Sequence, residues 1–142
     1  MSTRIFPTPQ DAEAAFYEAL ERADLELMMA VWSEDEEILC VHPGGARLTG
    51  QDQVRESWRR IFAGGARARV QLSQQVAISG PIFAVHSVHE NFSVPGEKRP
   101  LQAVLATNVY LRTAAGWRMI VHHGSTAPGQ AEPPRESPKI LH

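Results

Sequence analysis

Residues 38–50 run Ile38-Leu39-Cys40-Val41-His42-Pro43-Gly44-Gly45-Ala46-Arg47-Leu48-Thr49-Gly50. Ile38, Cys40 and His42 alternate with Leu39 and Val41, the period of a half-buried strand. Pro43 ends that strand, because it has no amide hydrogen for a ladder and restricts the residue before it. Gly44-Gly45 then predicts a turn, and Thr49 or Gly50 a helix start. An imidazole is therefore held on the last rung of a strand, where sheets open onto cavities. Near neutral pH it is the side chain that exchanges protons most freely. Two roles stay open for His42: a pocket-lining proton acceptor, or a satisfied strand-end histidine.

Upstream, Thr8-Pro9-Gln10-Asp11 carries three agreeing helix-start signals: a capping hydroxyl, proline in the first turn and an acid three residues after the cap. Ala12, Ala15, Phe16, Ala19 and Leu20 recur at helical spacing to about Ala23. Asp24 caps a shorter helix carrying Leu25, Met28, Met29 and Trp32, a stripe suited to core packing. Downstream, Val54, Trp58, Ile61 and Phe62 mark one side of a third helix over 51–62, which Gly64-Gly65 ends.

The remainder reads as strands over 67–78, 82–94, 100–112 and 117–124, joined by turns at Pro95-Gly96 and Ala114-Ala115-Gly116. The order is that of an α+β domain. Three N-terminal helices pack on one side of a strongly curved, mainly antiparallel sheet and leave a conical cavity between the layers. One domain is expected over 1–128, with a Pro-rich, extended or disordered tail over 129–142.

Composition narrows the function. With 142 residues, Lys+Arg 14 against Asp+Glu 16 and a net charge of -2, neither nucleic acid nor an anionic membrane is indicated as partner. Arg55, Arg59 and Arg60 share a helix with Asp52 and Glu56, as on a solvated face. Cys40 is the single cysteine, so no intrachain disulfide or Cys-based zinc site is expected. Met1-Ser2-Thr3-Arg4 has no apolar leader, and no run is long enough to span a bilayer; an unanchored cytoplasmic protein is expected.

Strand alternation sorts the polar residues by face. Gln102, Val104, Ala106, Asn108 and Tyr110 share one side of the third long strand; Leu101, Leu105, Val109 and Leu111 share the other. The second set must be covered, and pairing of two copies through this outer face would cover it. In the last strand Ile120, His122 and Gly124 lie together. His122 and His123 point to opposite faces and cannot bind one ion, and no carboxylate lies on the face of Asn108. No metal and no cofactor are expected.

Three segments carry a resemblance: Phe16-Tyr17-Glu18-Ala19-Leu20 with Ala23-Asp24-Leu25; Val41-His42-Pro43-Gly44 with Thr49-Gly50 and Trp58; and Gly116-Trp117 through His123-Gly124-Ser125-Thr126-Ala127-Pro128. The chain resembles the nuclear transport factor 2-like superfamily, in particular its SnoaL-like and calcium/calmodulin-dependent kinase II association-domain-like members. The resemblance to ketosteroid isomerases in that superfamily implies roles for individual positions. His42 matches their general base. Asn108 matches one oxyanion donor. Phe16 matches the tyrosine that supplies the other, unless the helix is rotated to present Tyr17. Trp58 matches a tyrosine packed beneath. With phenylalanine at position 16 one donor is absent, a loss of about 3 kcal/mol in transition-state stabilisation. The association domains carry two pocket arginines, at positions matching Asn108 and Gly124, and neither charge is present.

Two functions remain open. In one, His42 moves a proton on a small apolar carbonyl compound, and Asn108, helped by His122, steadies the oxyanion; Phe16, Tyr17, Trp58, Val104, Tyr110 and Ile120 complete the pocket. The chain would then be a cofactor-independent isomerase, cyclase or dehydratase. In the other, it is a non-catalytic ligand-binding or oligomerisation module. Both expect a homodimer, and the catalytic one needs His42 and Asn108 to converge on a shared hollow roofed by the first helix.

Overall fold

Thr8 caps the first helix in the manner its context predicts. Its hydroxyl oxygen accepts from the Asp11 amide at 3.0 Å and its hydroxyl donates to Asp11 Oδ2 at 2.9 Å. In the computed structural model, which describes residues 4–65, 67–98 and 101–132, this helix is α1 (Pro9–Arg22). It stops at Ala23, a left-handed residue with φ 53°. Asp24 then caps α2 (Leu25–Val31), accepting from the Leu27 amide at 3.0 Å. Trp32 falls just past the helix, extended, and bridges to Met119.

The decisive stretch forms β1 (Leu39–Val41), but it does not pass straight from turn to helix. Arg47–Thr49 is a further strand, β2, antiparallel to β1 with Cys40 opposite Leu48. The Gly45 amide bonds the His42 carbonyl at 2.8 Å and closes the hairpin. Three residues with one apolar side chain carry no readable period, so this edge strand is made by pairing alone. α3 (Gly50–Ala63) follows directly, with Gln53 accepting the Thr49 amide at 2.9 Å.

Four long strands complete the chain: β3 (Arg69–Ser79), β4 (Phe83–Ser93), β5 (Gln102–Thr113) and β6 (Gly116–Gln130). The sheet order is β2-β1-β6-β5-β4-β3, antiparallel throughout except for the parallel pair β1 and β6. The fold is α+β, with three helices on one curved, unclosed, mostly antiparallel sheet. Phe16, Met28, Trp32, Trp58, Tyr110 and Met119 fill the space between the layers and are fully or almost fully buried. Each such side chain contributes about 1.5–3 kcal/mol of hydrophobic stabilisation.

Two differences from the sequence expectations bear on the site. β6 does not end at Gly124; it continues to Gln130, and Ala127 and Ala131 pack against Ala103. Its polar, proline-bearing composition hid a strand held by backbone pairing, and the rest of the expected tail, 133–142, lies outside the described residues. Secondly, β5 and β6 slip at a bulge: Val109 pairs Val121 while Tyr110 pairs Met119, leaving Ile120 as the extra residue. A bulge reverses side-chain parity. His122 and Met119 therefore both face the helices, whereas simple alternation had grouped Ile120 with His122.

Gly116 opens β6 at φ +93°, and a Cβ there would lie 2.9 Å from the backbone N and O of Phe6. Gly116→Ala is thus expected to destabilise the fold by about 2 kcal/mol or more, through combined strain and clash, in urea unfolding. Among the described residues no helix is long and apolar enough to cross a membrane.

Candidate functional site

One rung crosses the sheet through Leu48, Cys40, His122, Asn108, His86 and Ala77. Its inward side chains make the concave face unusually polar for a core. Above it lies a cavity of about 240 Å³. Leu20 of α1, Trp58, Ile61 and Phe62 of α3 and Phe92 of β4 give it apolar walls. Its polar groups are His42, His122 and Glu90.

His42 stands immediately after β1, as Pro43 requires. Its Nε2 is 3.1 Å from Ser57 Oγ, while the Ser57 hydroxyl donates to the Val54 carbonyl at 2.8 Å. The one serine proton is thereby committed, so His42 Nε2 is assigned the N–H and Nδ1 the lone pair. The ring meets Trp58 edge-on at 4.7 Å. Burial lowers its pKa and keeps the ring neutral at pH 7.

His122 is buried more deeply, and its pKa is pushed down to about 3 by burial and then by His42 and His123. Its Nδ1 lies 2.6 Å from Asn108 Oδ1. Asn108 Nδ2 donates to Tyr17 Oη at 2.9 Å, and Tyr17 donates to Glu90 Oε2 at 2.6 Å. The donors all run one way: His122 to Asn108, Asn108 to Tyr17, Tyr17 to Glu90. That direction places the His122 proton on Nδ1 and leaves Nε2 with a lone pair. Burial raises the Glu90 carboxyl to about 7; the Tyr17 bond opposes the rise and the charge of Glu13 adds to it. Burial and then Glu90 push Tyr17 well above its ordinary value, so it remains a protonated donor.

A second buried cluster adjoins the first. Glu13 Oε1 accepts from Gln75 at 2.6 Å, and its Oε2 accepts from Tyr110 at 3.2 Å and lies 2.9 Å from His86 Nδ1. Among the described residues no group of three or more His, Cys, Asp or Glu could hold a metal ion.

Of the residues singled out from sequence, His42, Trp58 and His122 line the cavity. Asn108 is fully buried beneath, between His122 and Tyr17, so its amide does not face the hollow beside His42. Tyr17, not Phe16, brings its hydroxyl to Asn108, so the helix is rotated as the second alternative required. Phe16 packs behind the wall, 4.8 Å from His122 and 5.6 Å from Trp58 by ring centroids. Val104 is buried near Gly124, Tyr110 belongs to the Glu13 cluster and Ile120 sits in the bulge; none of the three lines the cavity. The expectation that no carboxylate shares the strand face of Asn108 is corrected by Glu90 of β4, and Glu13 comes against that face from α1. The signal for Glu90 was present, since it alternates with His86 and Val88 on β4. Strand pairing was needed to bring it against a residue on another strand. Nothing in the sequence marked Glu13, which arrives on a helix.

No curated protein matches the chain. A solved structure from Thiobacillus denitrificans, provisionally named a calcium/calmodulin-dependent protein kinase type II association domain, is 42% identical; the alignment covers 87% of this chain and 98% of that one, with a TM-score of 0.82. A protein from Streptomyces avermitilis, provisionally named a dehydratase of the NTF2-like family, is 31% identical over 83% of this chain and 92% of its own, with a TM-score of 0.75. A provisionally named ketosteroid isomerase from Parabacteroides distasonis shares the fold at 17% identity and a TM-score of 0.68, over 84% of this chain and 88% of its own. The SnoaL-like domain model matches residues 10–129. The chain belongs to the SnoaL-like domain family, within the NTF2-like superfamily.

Proposed function

We propose that the chain is a cofactor-independent, cytoplasmic enzyme of the isomerase or dehydratase type, which moves a proton on a small apolar carbonyl compound. One observation carries this reading: the Glu90 carboxyl is buried, lines an apolar cavity and has one oxygen bonded to Tyr17, and burial pushes its pKa up to about 7. Efficient proton transfer wants a base whose pKa lies near the working pH. Glu90 meets that condition, while His122 at about 3 is too weak a base. Glu90 thus takes the general-base role that the resemblance implied for His42, and His42 becomes the second group, a neutral imidazole with its Nδ1 lone pair available.

In the proposed step the Glu90 carboxylate removes a proton from the carbon next to the carbonyl. The C–H electron pair passes into the enolate, and protonated Glu90 returns the proton to the same or a conjugated carbon. Asn108 and Tyr17 have committed their protons within the protein and offer the enolate little. The reading therefore favours acidic carbon centres, such as aryl-activated ketones. The test is hydrogen–deuterium exchange at the α carbon of 2-tetralone in D2O. Exchange accelerated by the wild type and lost in Glu90→Gln supports the proposal; equal exchange by both proteins refutes it.

A second reading, a ligand-binding or assembly module, is favoured by the outer sheet face. There Val76, Ile78, Phe83 and Leu105 are exposed, with Val109 and Leu111 partly so. Burying such a face between two copies of the chain would remove it from water. The 42% identical neighbour, named for an association domain, agrees with this. Sedimentation at micromolar concentration should give a homodimer, and Ile78→Glu with Leu105→Glu should give a monomer.

A further inference from the structure

The polar end of the cavity has an unusual hydrogen-bonding character. His42 gives its N–H to Ser57, His122 gives its N–H to Asn108, and Tyr17 gives its O–H to Glu90. Three polar atoms at this end are left without a partner among the described residues, His42 Nδ1, His122 Nε2 and Glu90 Oε1; the Trp58 indole N–H also has none, but it is fully buried and presents no surface to the hollow. All three are acceptors once Glu90 is ionised. None of the lining residues is Lys or Arg. The ketosteroid isomerase pattern has the opposite polarity, with donors facing the ligand oxygen. Here the matching donors are turned inward and consumed.

An acceptor-only end binds more weakly any ligand that also offers only acceptors, the ketone of the proposed reaction included, because lone pairs then face lone pairs in a desolvated space. It accepts a ligand carrying O–H. Size is limited as well: a cavity of roughly 150 Å³ takes one benzene ring, so 240 Å³ suits one substituted ring. Charge is limited too, since the absence of a cationic partner disfavours a carboxylate, and an ammonium would lose its hydration in a largely apolar hollow.

We infer that this cavity is a binding site for a neutral, ring-sized molecule bearing a hydroxyl group, which donates to the acceptors of His42, His122 and Glu90 while Trp58, Phe62 and Phe92 enclose the ring. The inference rests on the pocket of the proposed reaction and deepens it. In that reaction Glu90 becomes a donor once it has taken the α-proton. Passing that proton to the enolate oxygen gives the enol, whose O–H makes it the more tightly held species, and passing it to carbon gives the product.

Calorimetric titration of the wild-type protein with 4-ethylphenol, 4-ethyltoluene, 4-methylacetophenone and 4-methylbenzylamine at pH 8 tests this without any variant having to fold. The first two differ by hydroxyl against methyl, so hydrophobicity alone would favour the toluene. The phenol is expected to bind at least about tenfold tighter than either the toluene or the ketone, the worth of one good hydrogen bond. Equal or weaker phenol binding overturns the inference, as does tighter binding of the amine. Glu90→Gln adds an amide donor to the same wall, and should raise affinity for 4-methylacetophenone several-fold; unchanged or weaker ketone binding by that variant counts against the site. Phenol preference without tetralone exchange would refute the catalytic proposal alone. Exchange without phenol preference would refute this inference alone.

Discussion

Glu90→Gln is expected to slow α-carbon exchange by about 10²–10⁴-fold, the range a positioned general base contributes. Glutamine is nearly isosteric and still accepts from Tyr17, so the hydrogen-bond chain survives while the proton acceptor is lost. The wild-type profile should follow the carboxyl. Only its ionised form removes a proton, and burial raises its pKa to about 7. The rate should therefore climb about tenfold per pH unit below 7 and level off above it. Any charge change of His42 or His122 falls at lower pH than that of Glu90, because burial lowers both. A rate flat between pH 5 and 9 in the wild type would remove Glu90 from the reaction.

The same substitution should make the protein more stable at alkaline pH. A carboxyl whose folded pKa lies above its unfolded value favours the fold at low pH, where both states are protonated. That advantage disappears as pH rises through the folded pKa. For Glu90 the window runs from the ordinary value of 4.5 to about 7. Across it the cost of ionising the buried group reaches about 3 kcal/mol. Glutamine never ionises. Urea unfolding should thus find Glu90→Gln more stable than wild type by about 3 kcal/mol at pH 8.5, with the difference falling to near zero at pH 4.5. The histidines contribute with the other sign, since their lowered folded pKa values weaken the fold as pH falls below 6.5, but they are common to both proteins and cancel. Equal stabilities at pH 8.5 would mean that the carboxyl is not buried as an uncompensated charge.

A buried carboxyl whose pKa is pushed up to about 7, at an expected cost to the fold, is characteristic of sites where stability yields to chemistry. The surroundings of Glu90 agree. Its hydroxyl partner Tyr17 is itself locked by Asn108, so the carboxyl is held in place while one oxygen is left toward the cavity.

The caps at Thr8 and Asp24, the apolar periods of α1 and α3 and the alternation of β4 and β5 were all legible in the amino-acid order. Each is a local preference, set by side-chain capping or by burial at period 3.6 or 2.0. The position of His42 was legible for the same reason, because Pro43 ends the strand wherever the strand is placed. β2 and the last third of β6 were not. They are strands by virtue of their partners' backbone groups, and their side chains carry little period.

Tertiary structure alone decided the chemistry of the hollow. The bulge at Ile120 set which residues of β6 face inward, since one unpaired residue inverts parity for all that follow. Register then aligned His122, Asn108 and His86 on one rung, and α1 rotated Tyr17 rather than Phe16 onto it. Burial gave Glu90 its proton affinity, and the direction of the hydrogen bonds turned an expected set of donors into a set of acceptors. Sequence determined the elements and the histidine at the cavity's edge, because those follow from contacts a few residues apart. The base, the polarity of the pocket and its content of carboxylates came from groups tens of residues apart, brought together only when the sheet curved over its helices.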